Sequence, residues 1–320
     1  MYLELIINEM QTEDIDQAVE LWLKQYQIYC NKEEFPQHWF TDTTEIKCLL
    51  ERQIQDKTVV AAKQGSQLIG FIGYFKFDFH NEKSALCNIT SHAAKEAHKE
   101  QIYLALYKYV SKQWVENDIF NHLWMFFDQD IRLKTFLYDM GFGSYLADSY
   151  SRLNSLEILQ SCPYQIRLAA SDDLEEMQSL VDESVQYYNM EPLFLKRESV
   201  SSEKLRELIS RDNIFIACDG NKIIGFMNIN IASENDLENL TVKNCGLIDE
   251  LGAYIKPEYR GKQIGVHLLN TIGEYCGSHL VELIHVDFET ANPFANRFWR
   301  KYFTPMISSV RRSVNKDANS

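Results

Sequence analysis

At 320 residues and 37.4 kDa the chain has room for two domains of about 150 residues, each able to bury its own core. A composition of 45% hydrophobic and 24% charged residues, with 6 Pro and 13 Gly, excludes collagen-like and largely disordered chains. The net charge of −14 repels phosphate backbones, so nucleic acid is not an expected partner, whereas a cationic substrate is compatible with it.

The first predicted elements are a strand in LELII, a Thr12 or Asp14 cap, and a helix with apolar residues Ile15, Ala18, Leu21 and Trp22. A hairpin from Val59, turning at Lys63 to Ser66, carries Ile69-Gly70-Phe71, a glycine inside a strand that signals a bulge or a close approach. The segment from Cys87 has no glycine and no Arg-Gly, but Ile102, Leu106, Tyr109 and Val110 keep a helical period. His92 and His98 match no metal-ligand spacing, and the seven scattered cysteines contain no C-x-x-C pair, so no metal site is expected. Free thiols, an acidic N-terminus and no apolar run of membrane-spanning length point to a cytoplasmic chain with no membrane partner.

A turn-rich stretch at Leu153 to Pro163 reads as a boundary. Beyond it the same order begins again: a strand in YQIRL, a cap at Asp172 or Asp173, and a helix with Leu174, Met177, Val181 and Val185. A second hairpin from Phe215, turning at Asp219 to Asn221, repeats the Ile-Gly-Phe at Ile224 to Phe226. Two copies of one α+β unit, residues 1–155 and 163–320, are the economical reading. The polar run Ile231 to Gly246, with Glu234, Asp236 and Glu238, is expected to be a loop over a cleft of the second copy.

Leu251, Ala253 and Ile255 alternate as a strand, Pro257 ends it, and Leu268, Leu269, Ile272 and Cys276 mark the following helix. Between them lies Tyr259-Arg260-Gly261-Lys262-Gln263-Ile264-Gly265, where a small-residue turn opening a helix offers N–H groups and positive charge to a phosphate or pyrophosphate. It matches neither the nucleotide P-loop nor the dinucleotide fingerprint.

The run Ile255-Lys-Pro-Glu-Tyr-Arg-Gly-Lys-Gln-Ile-Gly265 resembles the acyl-CoA motif of the GNAT family of N-acetyltransferases, and Asn292-Pro-Phe-Ala-Asn-Arg-Phe298-Trp299-Arg-Lys301 resembles its second motif. The resemblance implies two tandem acyl-CoA N-acyltransferase-like domains, each a mixed, mostly antiparallel sheet flanked by helices, the first degenerate. It further implies acetyl-CoA as co-substrate, lodged where a strand splays from its neighbour. Ala253, Tyr254 and Ile255 would meet pantetheine, Arg260, Gly261, Lys262, Gln263, Ile264 and Gly265 the pyrophosphate, with Asn292 and Phe298 also at the cofactor. Gln263 stands where the family usually has glycine, and Trp299 where it often has a tyrosine acid; Tyr302, one turn on, is the substitute candidate.

A proton acceptor is useful for amine attack on a thioester, and the resemblance points to the entrance of the strand, at Glu250 and Asp249, with Glu250 the favoured member. The expected activity is acetyl transfer to a primary amine of a small molecule or peptide. A non-catalytic acyl-CoA-binding or sensing protein on the same paired fold is the alternative.

Overall fold

The computed structural model describes residues 5–30, 34–152, 162–211 and 213–319; most of the expected boundary, 153–161, lies outside the described residues. The first half opens with β1 (Ile6–Glu9), α1 (Ile15–Tyr29) and α2 (Thr44–Gln55). The strands β2 (Val59–Gln64), β3 (Gln67–Gly73), β4 (Phe75–Phe79), β5 (Glu82–Cys87) and β6 (His92–Ala94) follow. It closes with α3 (Lys99–Glu116), β7 (Asn121–Phe127), α4 (Ile131–Asp139) and β8 (Gly143–Ser151). In the second half, β9 (Gln165–Leu168), α5 (Leu174–Asn189) and α6 (Ser202–Ile209) lead to β10 (Ile214–Asp219), β11 (Lys222–Asn228) and β12 (Asn230–Ile231). Next come β13 (Gly246–Ile248), β14 (Ala253–Ile255), α7 (Ile264–Ser278), β15 (Ile284–Glu289), α8 (Pro293–Tyr302) and β16 (Thr304–Ser313).

The repeat read from the sequence is present in the backbone. Strands β1-β2-β3-β6 form one antiparallel sheet and β9-β10-β11-β14 another, in the same order. Each hairpin shifts register at the corresponding place, Ala62/Lys63 and Ala217/Cys218. The Ile-Gly-Phe glycines sit beside those shifts: a Cβ on Gly70 would meet Ile102 at 2.5 Å, and one on Gly225 would meet Ile255 and the Tyr254 carbonyl at 3.0 Å. The first helices start alike too, since Asp14 accepts from the Gln11 N–H (3.0 Å) and Asp173 from the Ala170 N–H (2.7 Å), which satisfies a backbone donor that the helix leaves over. In both halves the strand after the hairpin breaks: β5 runs parallel to β7 and β13 to β15, while β6 and β14 turn to their hairpins.

Packing does not follow the sequence halves. One compact unit comprises Met1–Ser149, Asn235–Val242 and Phe288–Ser320, and the other Tyr150–Glu234 and Lys243–Asp287. This division differs from the expected cut into 1–155 and 163–320, since α8 and β16 pack with the first unit. There β16 is antiparallel to β7 from Ile307 to Ser313, in the order β8-β16-β7-β5-β4, and Val310 enters the core with Trp124, Leu106 and Val110. The polar run expected over the second cleft also belongs in part to the first unit. Leu240 is buried there with its carbonyl accepting from Trp39 Nε1 at 2.8 Å, and Asn235 donates to Glu45 at 2.7 Å. The second unit has its own core of Met177, Leu180, Ile216, Phe226, Leu251 and Tyr254 among others.

Candidate active site

The site grows from the break between β13 and β14. Asp249, Glu250, Leu251 and Gly252 fill it, with Glu250 at φ 51° and Gly252 at φ 66°, so the chain bulges and the two strands part toward different partners. Gly252 O accepts from Asn228 N (3.1 Å) and Lys256 N donates to Ile224 O (3.0 Å). By antiparallel alternation Tyr254 also bonds to β11, and the N–H and C=O groups of Ala253 and Ile255 point to the open edge of β14. That edge, the last of its sheet, is where the pantetheine amides are expected. Ala253 and Ile255 are partly exposed.

Residues 256–263 turn the chain into α7. Gly261 at φ 77° and Gln263 at φ 62° both occupy the left-handed region. Gln263 therefore keeps the backbone that glycine adopts without cost, and it caps α7 through its main chain, accepting from Val266 N at 3.0 Å and His267 N at 3.2 Å. Ile264 and Gly265 begin the helix, so their N–H groups have no acceptor inside it and carry its positive dipole end. The Arg260 guanidinium turns back over Tyr187, 4.4 Å from the ring centroid, and its Nε donates to Ile255 O at 3.0 Å; Lys262 lies along Tyr259 at 4.6 Å. This donor set suits a pyrophosphate.

The two carboxylates differ sharply. Glu250 is held by Arg211 (2.9 Å), Lys204 (3.6 Å) and Asn230 Nδ2 (3.0 Å), a cluster of exposed or half-exposed groups that neutralises it. Asp249 is partly buried, and burial first of all raises its pKa above the ordinary aspartate value, the nearby Glu250 charge adding to this and hydrogen bonds from Asn230 and Asn228 opposing it. Asn230 Nδ2 donates to Asp249 Oδ1, and its own Oδ1 accepts from Asn213 Nδ2, so a chain of amides orients the acid. The sequence did not single out Asn213, Asn228, Asn230 or Arg211; polar residues at a strand end carry no pattern that separates them from a loop.

Among the other candidates, His285 is buried on β15 beside Tyr150, ring centroids 5.1 Å apart. Asn292, Phe298, Trp299 and Tyr302 lie on or beside α8 in the first compact unit. Asn292 Oδ1 caps α8, accepting from Phe294 N and Ala295 N at 3.2 Å each. Trp299 is buried against Phe298 and Phe303, and Tyr302 stacks edge-on with Phe298 at 5.2 Å.

The model of the acetyltransferase (GNAT) family matches residues 175–303. Those residues are a GNAT domain. The match covers β13, the bulge, β14, the turn and α7. Among solved structures, the chain is similar to a GCN5-related N-acetyltransferase from Sphaerobacter thermophilus, with a TM-score of 0.60 at 10% identity over 97% of this chain and 95% of that one. It is also similar to a GCN5-related glucosamine N-acetyltransferase region of a fungal multi-domain β-N-acetylglucosaminidase, with a TM-score of 0.57 at 11% identity over 98% of this chain and 38% of that one. At such identities the likeness is one of fold, and it extends over both halves. No curated protein matches the chain in sequence. Among the described residues no helix is long and apolar enough to cross a membrane, and no group of three or more His, Cys, Asp or Glu could hold a metal.

Proposed function

We propose that the GNAT domain transfers an acetyl group from acetyl-CoA to a primary amine of a small molecule or peptide by direct attack. The observation that carries this reading is the bulge at 249–252, which joins a half-buried carboxylate to an open strand edge and to a helix-opening turn within one compact unit. The turn from Arg260 to Gly265 would hold the pyrophosphate through main-chain N–H groups. The edge of β14 at Ala253 and Ile255 would pair with the pantetheine amides and orient the thioester.

An amine of ordinary pKa is protonated near neutral pH and must lose a proton before or during attack. Asp249 is the acceptor in this account, directly or through one water: burial makes it a stronger base than an exposed aspartate, and Asn230 fixes its orientation. Glu250, favoured from the sequence, is compensated by Arg211 and Lys204 and serves to hold the bulge. As nitrogen bonds to the carbonyl carbon, the C–S bond breaks and the thiolate leaves. Trp299, at the position where the family often has a tyrosine, offers no phenol for it, which leaves water as the proton source.

The same Trp299 favours a second reading, in which acyl-CoA is bound or sensed without turnover. Release of free thiol from acetyl-CoA, assayed against a panel of polyamines, amino acids, aminoglycosides and peptide N-termini, separates the two. Amine-dependent thiol release supports the transferase. Saturable acetyl-CoA binding with no release above the amine-free rate supports the sensor. We place the protein in the cytoplasm, in keeping with its free thiols among the described residues.

A further inference from the structure

A groove of about 570 Å³ lies in the first compact unit, where the outer face of α3 meets the end of α4 and the end of β16. Its floor is Tyr107 and His122, both buried. His122 Nε2 faces the Ile119 carbonyl at 3.2 Å and Nδ1 faces the Tyr107 hydroxyl at 2.8 Å, which is the pattern of a neutral ring donating through Nε2 and accepting through Nδ1. The hydroxyl in turn accepts from Arg312 Nη1 at 3.5 Å, a long bond that leaves the other guanidinium donors for something else. Arg312 is directly opposite His122 in the β16–β7 register, so both project to the α3 side of the sheet.

The lining of this groove carries three cations, Lys108, Lys112 and Arg312, against one acid, Glu116. Among the described residues neither Lys108 nor Arg312 has a carboxylate within ion-pair distance, and they border the same hollow. Lys112, one turn beyond Lys108, meets Glu116 only at 3.8 Å on the exposed surface. Leu104 and Met140 extend the hollow at one end and Val115 and Val314 at the other, and Leu104 is 46% exposed. An ammonium and a guanidinium bordering a hollow with an aromatic floor and apolar ends complement a negative head on an apolar body, and the volume falls in the range of small-ligand sites.

We propose that this groove binds a small organic anion with an apolar, compact body, its head taken by Lys108 and Arg312. The site is separate from the acyl-CoA cleft, which lies in the other unit.

A fluorescence titration of the full chain with 1-anilinonaphthalene-8-sulfonate, an aryl anion, tests it. Saturable binding to one site is expected, unchanged when coenzyme A is added in excess. Lys108→Gln and Arg312→Gln should each weaken it about tenfold, the loss of one charge-assisted hydrogen bond. Ser111→Trp, which places bulk in the groove, should abolish it. Circular dichroism melting of each variant checks that the fold is kept, and Lys108 and Ser111 lie on the solvent side of α3, where substitution leaves the core untouched. Benzoate should displace the probe at concentrations where inorganic phosphate does not. Equal affinity for wild type and all three variants, no saturable binding up to millimolar probe, or displacement by phosphate but not by benzoate would overturn the proposal.

Discussion

The two halves share strand order, register shift and helix cap, and still differ completely at the gap where the broken strand parts from its parallel neighbour. In the first half that gap is filled from within. His92, at the start of β6, is fully buried; its Nε2 reaches the Met125 carbonyl of β7 at 2.6 Å and its Nδ1 the Tyr103 hydroxyl at 2.8 Å. Lys99, the first residue of α3, is also fully buried and binds Asp130 (2.7 Å) and the Tyr29 hydroxyl (2.6 Å), tying the start of α3 to the cap of α4. In the second half the position of His92 is taken by Ala253, and that of Asp130 by the uncharged cap Asn292. The connection into the helix also shrinks, since residues 95–98 do in the first half what 256–263 do in the second. In the first half these side chains satisfy the strand edge and helix N-terminus that an empty polar gap in a core would leave unsatisfied.

The largest effect expected from this comparison is on stability. Lys99→Ala leaves Asp130 buried without its cation and should destabilise the first unit by about 3–5 kcal/mol, measured by urea unfolding. Adding Asp130→Asn should recover much of that; a Lys99→Ala variant as stable as wild type would mean the pair does not hold the gap closed.

The next effect is one of pH. Burial holds His92 and His122 each at a pKa of about 4, below the ordinary value of 6.5, so the unfolded chain binds protons that the folded one refuses. Stability is then full above about pH 6.5 and falls as pH drops toward 4, by roughly 3 kcal/mol per histidine. His92→Gln should flatten the dependence in that window, and an unchanged slope would show that His92 is not buried neutral.

A smaller effect should follow from Asp249→Asn, which gives the second bulge the residue that the first has at Asn88. It should lower kcat/KM at neutral pH by about 100-fold, with partial rescue at high pH and little change in the KM for acetyl-CoA. Glu250→Gln should cost only a few-fold. The reverse ranking would return the proton acceptor to Glu250. Smaller than the loss at Asp249, Gly261→Val forces a β-branched residue into φ 77° and should weaken acetyl-CoA binding about tenfold without unfolding the chain.

The sequence carried the repeat, both hairpins, the Asp14 and Asp173 caps and the turn from Arg260 to Gly265, since each has a local signature of period, capping or turn chemistry. The packing of β16 into the first unit had no such signature: an apolar strand states that it is buried, not which strand it pairs with. Lys99 was equally hidden, because a buried lysine looks in sequence like a surface one, and His92 read as an unremarkable histidine for the same reason. The choice between Asp249 and Glu250 also needed structure, since it depends on Arg211 and Asn230, 38 and 19 residues before Asp249.

The central claim is one acyl-CoA site per chain, in the second half. Calorimetric titration with acetyl-CoA, followed by hydrogen exchange on the saturated protein, tests it most directly. The account predicts one site per chain and slowed exchange at residues 253–265, with none at 92–99. Two sites per chain, or protection at 92–99, would contradict it.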